Sequence, residues 1–166
     1  MILIAFGANL PSREGPPEAT FASVLVRLPR FGVRPLAWSR LYRSPALAPT
    51  GQPVDQPDFL NAVIAVRTDL SAEALLGVLH RVEAQIGRRR RRANEPRSID
   101  LDLIDYHGTV TAQSGLRGDS ARLVRPLVLP HPRADQRRFV LDPLAEIVPR
   151  WRHPRSGRTL AELRRR

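Results

Sequence analysis

The chain has 166 residues, 42% hydrophobic and 5% aromatic, with 27 basic against 16 acidic side chains and a formal net charge of +11. Every one of the 27 cations is arginine and cysteine is absent, which excludes a lysine-dependent phosphate loop, a Schiff-base mechanism, thiol chemistry and disulfides. The length closes one hydrophobic core without staples, no apolar run approaches membrane-spanning length, and Met1 to Phe6 is too short for a signal peptide, so we expect one domain over residues 1–166 in a soluble, cytoplasmic protein.

In chain order, Ile2 to Phe6 reads as a first strand. The segment 7–17 is a Gly- and Pro-rich loop ending in a helix-starting proline. Phe21, Val24, Leu25 and Leu28 have helical spacing up to Pro29. Val33 to Tyr42 reads as a strand, Ser44 to Pro57 as a Pro-rich loop, and Asn61 to Val66 as a further strand. A second helix spans 71–86: Ser71 suits the N-cap, Leu75, Leu76, Leu79, Val82 and Ile86 form an apolar stripe, and Gly87 sits where a helix stops. A strand at 99–104 follows. The order β-α-β-β-α-β predicts an α+β, ferredoxin-like core, an antiparallel sheet with helices on one face, plus a C-terminal extension. That extension begins with a Gly108-Thr109 turn and a polar connection through Gly118. It then carries two Pro-punctuated pieces, Leu127 to Pro132 and Phe139 to Pro149, and a basic tail.

The most informative stretch is Pro96-Arg97-Ser98-Ile99-Asp100-Leu101-Asp102-Leu103. Side chains in a strand alternate between faces, so Asp100 and Asp102 share one face while Ile99, Leu101 and Leu103 share the other. Two carboxylates so placed repel unless a proton or cation lies between them. With no cysteine nearby, hard oxygen ligands favour Mg²⁺ over zinc. Seven arginines crowd between Arg81 and Arg97, and arginines beside a magnesium site point to a polyphosphate. The bland alternative is a solvated strand with an acidic outer face.

Two further pairs stand out. His80 and Glu83 are three apart on the second helix, hence neighbours beside its apolar stripe; an ordinary His–Glu pair has the same spacing. Phe59 and Asn61 are two apart entering a strand, so a flat ring and an amide point the same way. An amide can donate to and accept from a heterocycle's edge, and a phenyl face can stack on it. Phe139, after Arg137-Arg138, is a candidate for the opposite wall.

Taken together, the ordered pieces Gly7-Ala8-Asn9-Leu10, Tyr42-Arg43-Ser44-Pro45, Gln56-Pro57-Asp58-Phe59-Leu60-Asn61, Glu83 with Gly87-Arg88, Pro96 to Asp102, Pro130-His131-Pro132 and Arg137 to Leu144 resemble the 6-hydroxymethyl-7,8-dihydropterin pyrophosphokinases, from residue 7 to about 149. The resemblance implies an ATP-dependent pyrophosphokinase of folate biosynthesis, moving pyrophosphate from ATP to a pterin alcohol. It implies that Asp100 and Asp102 bind two Mg²⁺ ions, and that Arg88 and Arg97 act with them on the phosphates. Ser44, Pro45, Ala46, Leu47, Phe59, Asn61 and Phe139 would form the pterin pocket. His80, Glu83, Arg90, Leu103, His131 and Arg137 would meet the nucleotide. The partners implied are the two small molecules, without nucleic acid or membrane, and the expected state is a monomer. The chain departs from the family at Ala93-Asn94-Glu95, where a tryptophan and a glycine are usual. Two alternatives remain at this stage: a basic RNA-binding module on a ferredoxin-like sheet, and a pterin- or ATP-binding relative with weakened catalysis.

Overall fold

A computed structural model describes residues 1–47, 52, 54–88, 96–111 and 127–165. Its centre is β1 (Ile2–Ala8), flanked on one side by β4 (Phe59–Arg67) and on the other by β5 (Asp100–Tyr106), both antiparallel to it. Beyond β4 lie β2 (Arg34–Trp38) and β3 (Tyr42–Ser44), also antiparallel, giving the order β2-β4-β1-β5 with β3 on β4 as well. Helices α1 (Pro17–Arg27) and α2 (Ala72–Ile86) are the two crossovers. This is the expected β-α-β-β-α-β arrangement, with β1 and β2 separated by the inserted β4.

The strand expected over 33–42 is interrupted. Pro35 brings no N–H to the ladder, and the register slips between Pro35 and Ala37. Ser39 then replaces ladder bonds with its own: its N–H donates to the Val63 carbonyl and its hydroxyl oxygen accepts from the Val63 N–H, both at 3.0 Å. Pairing resumes as β3, which sets Ser44 opposite Phe59 and Tyr42 opposite Asn61.

Helix α2 follows its sequence signals closely. The Ser71 hydroxyl accepts from the Ala74 N–H at 3.2 Å, Leu75, Leu79, Val82 and Ile86 are buried, and Gly87 ends the helix at φ 100°. In that terminal turn the Gly87 N–H donates to the Ala84 carbonyl and the Arg88 N–H to the Glu83 carbonyl. Arg88 is thereby folded back over Glu83.

The two sheet faces are packed differently. Ile2, Ile4 and Phe6 of β1, Ala62, Ile64 and Val66 of β4, and Leu101 and Leu103 of β5 pack against α1 and α2. On the other face Leu3, Ala5, Val63, Ala65 and Ile104 pack against α3 (Arg138–Ile147), Trp151 and α4 (Leu160–Leu163). The sequence reading saw only Pro-punctuated pieces where α3 forms. Pro143 lies inside that helix at a cost of about 3 kcal/mol, whereas each of Val140, Leu141 and Leu144 gains about 1.5–3 kcal/mol by burial. Burial wins.

Trp151 fastens the C-terminal segment to β5. Its indole N–H donates to buried Asp105 at 2.7 Å, and the Gly108 N–H donates to the same carboxylate at 2.8 Å. A bulge opposite Leu3 and Ile4 pairs Asp105 with Leu3 and so turns it to this second face. No helix among the described residues is long and apolar enough to cross a membrane. The arginines beyond Arg88 in the basic run, the departure at 93–95 and the polar connection through Gly118 lie outside the described residues.

Candidate active site

Three successive residue rows on the second sheet face explain why a cleft opens there. Leu3 pairs with Ala65, Ala5 lies between Val63 and Asp102, and Gly7 lies between Asn61 and Asp100. In the first two rows Leu3, Ala5, Val63 and Ala65 are covered by α3, with Asp105 and Asp102 at their β5 ends; the last row carries an amide, no side chain at all, and a carboxylate. A Cβ on Gly7 would stand 3.5 Å from Asn61 Oδ1 and 4.0 Å from the Asp100 Cβ, so this glycine is the bare floor between two functional groups. The cleft above it has a volume of about 240 Å³.

One end of the cleft suits a flat heterocycle. Phe59, Asn61, Ser44, Pro45, Ala46, Leu47 and Phe139, the residues the resemblance assigns to a pterin, all line the cleft. Asn61 is 4% exposed; its amide nitrogen donates to Ser44 Oγ at 2.9 Å and to the Tyr42 carbonyl at 3.2 Å, which aims Oδ1 over Gly7. The Arg97 guanidinium lies 5.4 Å above the Phe59 ring centre, and Arg137 lies 5.4 Å above Phe139.

The other end is charged. Asp100 accepts from Arg88 Nη1 at 2.5 Å and from Arg97 Nη1. Arg88 also pairs with Glu83, which is 2% exposed and accepts the Leu101 N–H at 2.8 Å. Glu83 thus ties α2, Arg88 and the start of β5 into one unit. Burial opposes the Arg88 charge, but Asp100 and Glu83 outweigh it and hold the guanidinium more firmly protonated than usual. Arg97 Nε is buried without an acceptor among the described residues, a donor placed for an incoming anion. Its backbone is fixed by Asn9: the Arg97 N–H donates to Asn9 Oδ1 at 2.8 Å, the Asn9 N–H donates to the Arg97 carbonyl at 3.0 Å, and Asn9 Nδ2 donates to the Pro57 carbonyl at 3.1 Å.

Among the described residues Asp102 meets no such pair. Burial first, and then neighbouring Asp100, push its carboxyl up from 3.8 to about 6. His131 Nε2 lies 3.9 Å from it. The His131 ring is pushed down to about 4, by burial and then by Arg137 and Arg133, and is neutral at pH 7. A short turn carries it, pinned where the His131 N–H donates to the Ile104 carbonyl at 3.0 Å. Among the described residues no three His, Cys, Asp or Glu side chains cluster as a metal cage. Mg²⁺ commonly uses only one or two carboxylates and completes its shell with water and substrate phosphates, so an oxygen pair such as Asp100 and Asp102 fits it.

The other nucleotide candidates are distributed unevenly. His131 and Arg137 line the cleft. Glu83 is buried behind Arg88, and His80 is exposed on α2 away from the cleft lining. The Leu103 side chain is 3% exposed in the helix-side core, because alternation from Asp102 turns it to the opposite face, and Leu103 is not among the residues that line the cleft. Arg90 lies outside the described residues. The sequence reading gave no role to Gly7, Gln56 or Arg133, which also line the cleft. A glycine inside an otherwise apolar strand was the available signal for the first; nothing in the spacing marked the other two.

Comparison with known proteins gives the family. The 7,8-dihydro-6-hydroxymethylpterin-pyrophosphokinase family matches residues 3–149. The 2-amino-4-hydroxy-6-hydroxymethyldihydropteridine pyrophosphokinase of Synechocystis sp. is 41% identical over 125 residues, 75% of this chain and 56% of that protein. The match therefore spans little more than half the length of that relative. The Methylorubrum extorquens enzyme of the same name is 41% identical over 142 residues, 85% of this chain and 80% of its own. The one from Pseudomonas aeruginosa is 35% identical over 162 residues, 98% of this chain and 88% of its own. With the match running through the sheet, the paired aspartates and the aromatic end of the cleft, the chain belongs to the 7,8-dihydro-6-hydroxymethylpterin-pyrophosphokinase family.

Proposed function

We infer that this chain, acting as one domain, transfers the pyrophosphoryl group of ATP to the hydroxymethyl oxygen of 6-hydroxymethyl-7,8-dihydropterin, releasing AMP. The observation that carries the reading is the row Asn61–Gly7–Asp100 across three adjacent strands. Strands lie about 4.8 Å apart, so an amide suited to the pterin edge and a carboxylate suited to a metal-bound triphosphate are held about 10 Å apart over a bare floor. That spacing suits a bicyclic alcohol reaching toward a β-phosphorus.

In the reaction the alcohol oxygen forms a bond to the β-phosphorus while the bond to the α-phosphate bridging oxygen breaks. AMP leaves with the electron pair, and the hydroxyl proton passes to water. Asp100 and Asp102 would hold two Mg²⁺ ions, whose chemistry when bound is to neutralise charge on the phosphate oxygens. Arg97 offers an Nε without an acceptor among the described residues, and Arg88, held by Asp100 and Glu83, offers a second fixed guanidinium as charge builds on the transferring and leaving groups. Phe59 and Phe139 give the pterin two ring faces, and Asn61 and Ser44 its polar edge. His131, neutral, and Arg137 flank Asp102 on the nucleotide side. A single chain supplies all these groups, so the proposed working form is a monomer, and its proposed location is the cytoplasm. An RNA-binding reading is disfavoured by Asp100 and Asp102 on the face that would meet the phosphate backbone.

The test is product identity. Incubated with MgATP and the reduced pterin alcohol, the protein should yield AMP and pterin diphosphate in equal amounts. ADP as the nucleotide product would refute pyrophosphoryl transfer.

A further inference from the structure

Arginine exposure alone means little in a chain with 27 arginines, but among the described arginines around the cleft one is placed unlike the others. Of the arginines around the cleft, Arg88 pairs with Glu83 and Asp100, Arg97 pairs with Asp100, and Arg137 stacks over Phe139. Even Arg138, on the outer side of α3, pairs with Asp142 at 3.6 Å. Arg133 lines the cleft, is exposed at its rim, and has no ion pair, side-chain hydrogen bond or ring contact among the described residues.

Its charged surroundings are cationic. Arg133 disfavours the charge on both Arg137 and His131, so an empty cleft gains nothing from it. Its backbone is nonetheless fixed beside them. The Arg133 N–H donates to His131 Nδ1 at 3.3 Å, and the next residue, Ala134, is fully buried in the second core with its N–H on the His131 carbonyl. A guanidinium on a rigid turn beside the like charge of Arg137, with no carboxylate answering it among the described residues, gains a counter-charge when an anion arrives.

We propose that Arg133 is a further phosphate-binding residue, forming with Arg137 a second cationic flank for the nucleotide triphosphate on the Asp102 side of the cleft, opposite the flank of Arg88 and Arg97 on the Asp100 side. The assignment rests on the reading of the cleft as an ATP site. It divides the labour: the Asp100 flank is tied down by ion pairs before ligand binds, whereas Arg133 is free to swing onto a phosphate oxygen. Its fork geometry suits two such oxygens at once.

The experiment is equilibrium titration of the full chain and of its Arg133→Gln and Arg133→Lys variants with MgATP, inorganic tripolyphosphate and adenosine, at two salt concentrations. Arg133→Gln should weaken MgATP and tripolyphosphate by about five- to tenfold, the range for an exposed charge-assisted contact. Adenosine affinity should be unchanged. Arg133→Lys should recover part of the loss, and the salt dependence of MgATP binding should flatten in Arg133→Gln. An MgATP affinity within twofold of the parent, or an equal loss for adenosine, overturns the proposal. AMP formation by the parent chain is scored separately: its failure would sink the pyrophosphokinase reading, while the contrast between triphosphate and adenosine binding judges Arg133.

Discussion

Replacing Asp102 by asparagine should stabilise the metal-free protein at neutral pH while abolishing transfer. The carboxyl is raised from 3.8 to about 6 by burial and by Asp100, and at about 1.4 kcal/mol per pKa unit this corresponds to about 3 kcal/mol of charge penalty at pH 7. The side chain is 37% exposed, so solvent screens part of that, and we expect a gain of about 1–2 kcal/mol from Asp102→Asn. The sign follows from linkage. A carboxyl whose folded pKa exceeds its unfolded one contributes stability that is fully present below about pH 4 and lost as pH rises through about 6. Urea unfolding in EDTA should therefore find parent and variant equally stable near pH 4 and diverging in the variant's favour by pH 7. A difference that ignores pH, or a variant less stable at pH 7, would refute the argument that this aspartate is strained without its cation.

Two other substitutions probe the floor and the scaffold. Gly7→Val puts a branched side chain between Asn61 Oδ1 and Asp100 at a position whose strand backbone accepts it; the pterin KM should rise by about tenfold or more with the fold intact, and an unchanged pterin KM would remove Gly7 from the pocket. Trp151→Phe takes the 2.7 Å indole donor from Asp105, which is 4% exposed. Unfolding free energy should fall by about 1–3 kcal/mol in urea titration with kcat little changed, and a loss below about 0.5 kcal/mol would contradict the role given to that contact.

The central elements were legible because their signals are local. The α2 caps, the stripe of Leu75, Leu79, Val82 and Ile86 and the alternation from Ile99 to Leu103 each depend on a few neighbouring residues and stand in the structure as read, whereas Leu76, also expected in the stripe, is only half-buried. What stayed hidden depends on distant partners. The Pro35 and Ser39 break in the second strand is set by pairing with Val63, and α3 forms across Pro143 because the far sheet face gives its apolar side somewhere to go. The same holds within the site. That Asp100 and Asp102 share a face follows from alternation, but that two arginines hold Asp100 and, among the described residues, none holds Asp102 could be seen only once the turn after α2 had folded Arg88 back over Glu83. The sequence puts Glu83 with His80 beside the apolar stripe of α2, as a nucleotide contact or an ordinary pair; it is buried at the join of α2 and β5.

The most direct measurement is a crystal structure of the full chain with Mg²⁺, a non-hydrolysable ATP analogue and the pterin alcohol. The account predicts carboxylate oxygens of both Asp100 and Asp102 at about 2.0–2.1 Å from Mg²⁺, with the triphosphate on the same ions and the pterin between Phe59 and Phe139. A triphosphate bound elsewhere, with Asp102 touching neither metal nor water of its shell, would contradict it.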